Sequence, residues 1–213
     1  MERVDSATIA RLLEPFAKLN QKQLDATSAY LDLLLKWNAK TNLTSVRDPR
    51  EIVTRHFGES FFAASRLLVP GQAEAVADLG SGAGFPGLPF AVFAPTAQVT
   101  LLESNAKKAA FLNEVIHALR LSNVKTVRQR GEGYPSQADL VTMRAVEEFR
   151  KSAPVALGLV RDGGRLALMI GAAQVDEAKA LLRDLRWESP VPIPGSHSRV
   201  ILAGTKPAIV DRV

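Results

Sequence analysis

The chain contains no cysteine. Disulfides, cysteine-ligated zinc, iron–sulfur clusters and thiolate nucleophiles are therefore excluded from its chemistry. Histidine is scarce as well: His56, His117 and His197 lie far apart in sequence, so no metal site is expected. Aromatic residues make up 6% of the chain, and no uninterrupted apolar run approaches the length needed to cross a bilayer. The first residues, MERVDSATIARLLEP, carry acids and lack the apolar stretch of a signal peptide. A cytoplasmic protein with no membrane attachment and no obligate protein partner is the expectation.

What is present is an ordinary globular balance of 213 residues, 46% hydrophobic and 23% charged, without repeats or low-complexity tracts. The length suits one sizeable domain with an appendage. The formal net charge of +5 is concentrated rather than spread. Residues 104–130 hold Lys107, Lys108, Arg120, Lys125, Arg128 and Arg130 against Glu114 alone, an excess equal to that of the whole chain. A polyanionic partner and a solvated basic helix face both fit that segment.

Residues 1–70 read as a helical subdomain. Ile9, Leu12, Leu13, Phe16 and Leu19 keep one face, and Leu24, Leu31, Leu34 and Leu35 continue the period in a second helix. A third helix starts at Asp48 as N-cap, with Pro49 at the first helical position and Glu51 completing a capping-box pattern. Val53, Phe57, Phe61, Ala64 and Leu68 form its stripe, and VPGQAE at 69–74 ends the pattern. The second domain, 75–206, alternates short β-rich runs (75–80, 98–103, 124–130, 138–143, 165–170) with helical patterns (86–94, 105–120, 147–160, 173–185). That alternation predicts βαβ units and a mostly parallel sheet flanked by helices, with SRVILAG at 198–204 as a late edge strand. Loops after 80, 103, 130 and 143 should line one site, at the carboxyl ends of the strands.

The densest signal is VADLGSGAGFPG at 76–87, four glycines behind an apolar run that carries one aspartate. Two registers are open. Gly82-x-Gly84-x-x-Gly87 fits a dinucleotide loop, which would hold a pyrophosphate at a helix N-terminus. Asp78-x-Gly80-x-Gly82-x-Gly84 fits a loop for S-adenosylmethionine, where Asp78 would face the cationic amino and sulfonium groups. Glu103, ending the second strand, can accept from ribose hydroxyls in either case. The acid two residues before the first glycine favours S-adenosylmethionine over NAD.

Other segments occur in order along the chain: WNAKTNLT (37–44), RHFGES (55–60), DLGSGAGFPGLPFAV (78–92), LLESNAKKAAFL (101–112) and DLVTMRAV (139–146). Together they resemble the glucose-inhibited division protein B family, bacterial small-subunit ribosomal RNA methyltransferases that act on guanine N7. The resemblance runs from about 37 to 206. It implies a Rossmann-like class I methyltransferase fold with an N-terminal helical appendage, S-adenosylmethionine as cofactor, and 16S ribosomal RNA or the small ribosomal subunit as partner. By position it implies that Gly80 and Phe85 contact the cofactor, beside Gly82 of the same loop register, that Gly131 and Glu132 sit beside the adenine, and that Arg144 closes the site near the methyl donor. Two departures stand out: Met169-Ile170-Gly171 where the family commonly has Met-Lys-Gly, and Glu59 in place of a more usual aspartate.

The residues agree with that chemistry. Guanine N7 has a lone pair and no proton at neutral pH, so it can attack a sulfonium methyl without a general base. There is no cysteine for attack on a pyrimidine and no Asn/Asp-Pro-Pro-Phe/Tyr after the fourth strand to receive an exocyclic amine; an arginine stands there instead. Arg144 is the candidate positioning residue at the reacting centre, where it could hydrogen-bond either guanine O6 or the cofactor carboxylate. Arg55, His56, Lys107, Lys108, Arg130 and Arg199 are candidate RNA contacts. Lys107 and Lys108 open a helix, where cations oppose the dipole unless a phosphate is present. Trp37 could stack on a base, but its helical spacing after Leu34 reads as core. A non-catalytic RNA-binding module remains the alternative to an enzyme.

Overall fold

A computed structural model of the chain describes residues 4–145 and 148–208. Each N-terminal helix begins where its capping residues dictate. Asp5 caps α1 (Ser6–Leu13), Asn20 and Gln23 form a reciprocal capping box on α2 (Gln21–Asn38), and the Asp48 carboxylate accepts from the Glu51 amide at the start of α3 (Pro49–Ile52). The third helix does not continue as one α-helix. A π-helical turn over Val53–Gly58 separates α3 from α4 (Glu59–Leu67), and such turns concentrate at functional sites. Its Gly58 lies against Phe16, so close that a Cβ would come 2.7 Å from the ring.

The sheet follows the sequence expectation in its parallel part. β1 (Ala75–Leu79), β2 (Gln98–Leu102), β3 (Val124–Val127), β4 (Ala138–Arg144) and β5 (Val160–Gly171) are parallel neighbours in the order β3-β2-β1-β4-β5. Between them run α5 (Gly87–Phe93), α6 (Ala106–Ala118) and α7 (Phe149–Gly158), with α8 (Val175–Leu181) after β5. Strand order reverses between β1 and β4, which opens a crevice at their carboxyl ends. Registers place Leu79 beside both Leu102 and Met143, so the loops after these strands leave from one edge.

Three strand expectations change. β3 stops at Val127, because residues 128–130 leave the ladder to form a loop. β5 starts five residues early, at Val160, and runs through the Gly163-Gly164 pair that reads as a turn. Residues 199–205 are not an edge: this strand is antiparallel to β5, and two-residue strands β6 (Arg186–Trp187) and β7 (Val191–Pro192) pair with its far side, making it β8 (Arg199–Thr205). Partners so short, one holding a proline, leave no periodic trace in sequence. The pairing of Gly171 with Arg199 brings the start of β8 to the carboxyl end of β5. Residues 146 and 147, the end of DLVTMRAV and the expected helix start, lie outside the described residues.

Alternation along the strands divides the apolar side chains between two cores. Val76, Leu101, Leu140 and Ile201 pack against Tyr30, Leu34, Phe57, Phe61, Leu88 and Phe111 from the helices. Ala77, Leu79, Val141, Leu168 and Leu202 pack on the other face with α7 and α8. The helical segment 1–70 therefore shares one core with the sheet rather than forming its own.

Candidate active site

The glycine loop after β1 is held from three sides. Gly84 sits at φ +91° with the Tyr30 hydroxyl and Leu88 packed against its Cα, where no side chain fits. Tyr30 donates to the Ala83 carbonyl. Phe85 is sandwiched between Tyr30, stacked at 5.4 Å, and His56, stacked at 5.1 Å, with Phe57 edge-on at 5.0 Å. Helix α2 and the π-helical turn thus grip the loop that the sheet presents.

Asp78 is turned inward, away from the loop's open side. Its carboxylate accepts from Thr142 Oγ1 at 2.8 Å and from the Gly87 amide at 3.2 Å, and it is 1% exposed. Burial pushes this carboxyl up to about 6, against the hydrogen bonds from Thr142, Ser81 and Gly87 that pull it down. Glu103 is likewise engaged with backbone: it accepts from the Gly82 amide at 2.9 Å and from the Asn105 amide at 2.7 Å. Unlike Asp78, it still lines a cavity.

Two cavities meet at this loop. The first, about 380 Å³, is walled by Glu103, Gln129, Arg130, Gly131 and Glu132. A Cβ on Gly131 would come 2.6 Å from Leu79, so the backbone there closes on the core. The second, about 580 Å³, is walled by Asn42–Val46, Arg55, His56, Ser81–Ala83, Phe85, Arg144, Met169–Gly171 and Arg199. Gly80, Lys108 and Ala145 line both. Ala145 takes φ +50°, a strained value for a residue with a side chain, directly after β4 at the junction.

Arg144 is the centre of a buried polar cluster in the second cavity. Its Nη2 donates to the Arg55 carbonyl at 2.8 Å, to His56 Nδ1 at 3.2 Å and to Glu59 Oε2 at 3.1 Å. Glu59, 2% exposed, also holds Arg199, whose Nε is 2.7 Å from Oε1. One carboxylate therefore spaces two guanidiniums, a geometry that arginine's rigid fork suits. Burial, then the neighbouring Arg144, Arg55 and Arg199, holds the His56 ring down at about 3, so it is neutral at physiological pH. Burial also lowers the Arg144 guanidinium's pKa, and Glu59 opposes that shift.

The structure thus gathers Gly80, Gly82, Phe85, Arg55, His56, Lys108, Arg144 and Arg199 around one cavity and Gly80, Glu103, Lys108, Arg130, Gly131 and Glu132 around the other. Asp78 reaches neither wall. Lys107 and Lys108, read as a pair, part company: Lys107 points into solvent while Lys108 is half-buried at the junction. Trp37 packs on Phe111 at 5.6 Å and donates to Glu114, a core role. Sequence reasoning passed over Thr44 and the cluster role of Glu59. Both lie inside segments it had singled out, WNAKTNLT and RHFGES, so the signal was present without its geometry.

The chain matches known proteins over most of its length. Residues 23–194 fit the model of the GidB family, rRNA small subunit methyltransferase G. The chain belongs to this family. It is 39% identical over 204 residues to the Roseiflexus castenholzii ribosomal RNA small subunit methyltransferase G, covering 90% of this chain and 86% of that protein. The Xanthomonas campestris pv. campestris protein of the same name is 41% identical over 186 residues, covering 83% and 86%. Among solved structures, a SAM-dependent methyltransferase from Aquifex aeolicus matches at TM-score 0.61 and 17% identity, covering 78% of this chain and 97% of that one. TYW2 of P. horikoshii in complex with MeSAdo matches at 0.58 and 20% identity, covering 70% and 62%. These two show a shared fold. The protein is accordingly an S-adenosylmethionine-dependent rRNA methyltransferase, and the NAD register of the glycine loop falls away. The donor set fits that cofactor: carboxylates in one cavity, loop backbone at the junction and aromatic and thioether groups in the other.

Proposed function

We propose that this enzyme methylates N7 of a guanine in 16S ribosomal RNA by direct attack, with no general base. One observation carries the reading. Among the described residues of the larger cavity, every titratable side chain is an arginine, a lysine or His56, and both His56 ring nitrogens are already hydrogen-bonded. A cavity so furnished can place and polarise a base but has no group poised to take a proton, and guanine N7 has none to give. When bound, S-adenosylmethionine would supply a methyl activated by its sulfonium, so that N7 forms a bond to the methyl carbon as the carbon–sulfur bond breaks and the neutral thioether leaves.

The smaller cavity suits the adenosine portion, with Glu103 toward the ribose and Gly131 and Glu132 toward the adenine. Gly80, Gly82 and Phe85 shape the passage between the cavities. Asp78 acts by fixing the Gly87 end of the loop. Arg144, Arg55 and Arg199 present positive charge to the entering nucleotide, and Arg55 and Arg199 also border an adjoining groove of about 570 Å³ that holds Arg11. Arg130 and Lys107 flank the site as outer phosphate contacts. No helix among the described residues is long and apolar enough to cross a membrane, and an rRNA substrate supports a cytoplasmic location.

The test is label transfer from methyl-labelled S-adenosylmethionine to small subunits from cells lacking this activity, followed by chemical cleavage at N7-methylguanine. Label at one guanine is expected. Label that resists this cleavage would refute N7 as the acceptor.

A further inference from the structure

Thr44 lines the larger cavity and has no part in the scheme above. Its position is fixed by Asn38, which folds the chain back at the end of α2. Asn38 Oδ1 accepts from the Leu43 and Thr44 amides at 2.9 and 3.0 Å, and its Nδ2 donates to the Thr44 carbonyl at 3.1 Å. The fold-back sets the Thr44 hydroxyl on the same wall system as Phe85 and Arg144.

Hydrogen-bond direction in this cluster follows from its obligate donor. Arg144 Nη2 has two protons for three partners, so one is shared with His56 Nδ1 at 3.2 Å; a proton on Nδ1 would face only donors there, which leaves Nδ1 as the lone-pair nitrogen. The ring proton then sits on Nε2 and is directed at Thr44 Oγ1, 2.7 Å away. Thr44 Oγ1 also accepts from the Val46 amide at 3.2 Å. A hydroxyl has two lone pairs and one proton. Both lone pairs are engaged, so toward the cavity this hydroxyl can only donate. The guanidinium at the head of the chain polarises each bond after it, which strengthens that donor.

We propose that Thr44 reads the target base by donating its hydroxyl proton to guanine O6, and rejects adenine, which puts an amino donor at the same place. The inference rests on the guanine N7 reading. O6 adjoins N7 on the ring edge that must face the methyl donor, so a group recognising O6 belongs beside the reacting atom. The contact is not strengthened during reaction: as N7 gains the methyl the ring becomes cationic and O6 a poorer acceptor. Thr44 therefore selects and orients, and its loss should appear in KM more than in kcat.

The experiment compares small subunits reconstituted with 16S RNA carrying guanine, inosine or 2-aminopurine at the mapped target. Inosine keeps O6 and 2-aminopurine lacks it, while all three keep N7. The wild-type enzyme should treat inosine as guanine and lose about 10–100-fold in kcat/KM on 2-aminopurine. Thr44→Val and Thr44→Ala should lose about as much on guanine and inosine, chiefly through KM, and nothing further on 2-aminopurine; Thr44→Ser should retain activity. Equal losses on all three RNAs, or a wild-type enzyme indifferent to O6, would overturn the proposal. RNA affinity measured without methyl transfer gives a second readout. If the guanine RNA gains no N7 methyl, the parent reading fails, while a wild-type preference for inosine over 2-aminopurine in binding would still uphold the Thr44 contact.

Discussion

The glycine loop and the cluster around Arg144 face each other across one junction and are built on opposite principles. In the loop, the acids that the motif supplies, Asp78 and Glu103, spend their oxygens on backbone amides and a threonine hydroxyl. They make shape. In the cluster, charged and polar side chains from the helical segment, β4 and β8 hold one another at the cavity wall, still able to act on what enters. In this chain the glycine motif specifies a contour, while the charged cluster is assembled from distant segments.

The sharpest way to break that contrast is Glu59→Ala. It leaves Arg144 and Arg199 buried or half-buried without their shared carboxylate, and stability should fall by about 3–5 kcal/mol in urea unfolding, with methyl transfer lost. A loss below about 1 kcal/mol would mean that the two guanidiniums do not depend on it.

Asp78 and His56 give the contrast a pH signature, with opposite signs. A carboxyl raised from 3.8 to about 6 costs the fold about 3 kcal/mol above pH 6, and that cost vanishes below about pH 4. An imidazole lowered from 6.5 to about 3 works the other way: the unfolded chain takes up the proton first, so stability falls as pH drops from about 6.5 toward 3. Cofactor-free Asp78→Asn should therefore exceed wild type in stability at pH 8 by up to about 3 kcal/mol and match it at pH 4. It should also expose a steeper acid loss due to His56. Thermal unfolding across that range decides it; a variant weaker than wild type at every pH would contradict the inward, desolvated Asp78.

Gly84→Ala probes the loop's contour alone. A methyl at φ +91° against Tyr30 and Leu88 should cost about 1–3 kcal/mol and weaken S-adenosylmethionine binding in calorimetry. The smallest effect separates the two lysines. Lys107→Ala should lower the salt slope of RNA binding by about one phosphate and leave turnover unchanged. Lys108→Ala should lower kcat/KM about tenfold, as a group lining both cavities would. Indistinguishable variants would restore the two as one solvated patch.

Much of this architecture was legible in sequence because its signals are local. Hydrophobic period and glycine punctuation placed five parallel strands and the helices between them, and the capping residue Asp48 sits where expected. The inward turn of Asp78 was readable in principle, since it shares a strand face with Val76. The relay from Arg144 through His56 to Thr44 was not, because it joins residues 88 and 12 positions apart, and hydrogen-bond direction exists only once they meet. The short strands beside β8 carry too few residues to leave a period.

On this reading the site positions its base and moves no proton. Single-turnover methyl transfer on small subunits, measured between about pH 6.5 and 8.5, tests it most directly. A flat rate is the predicted result. A rate that climbs tenfold per pH unit would reveal a general base at the site and contradict the account.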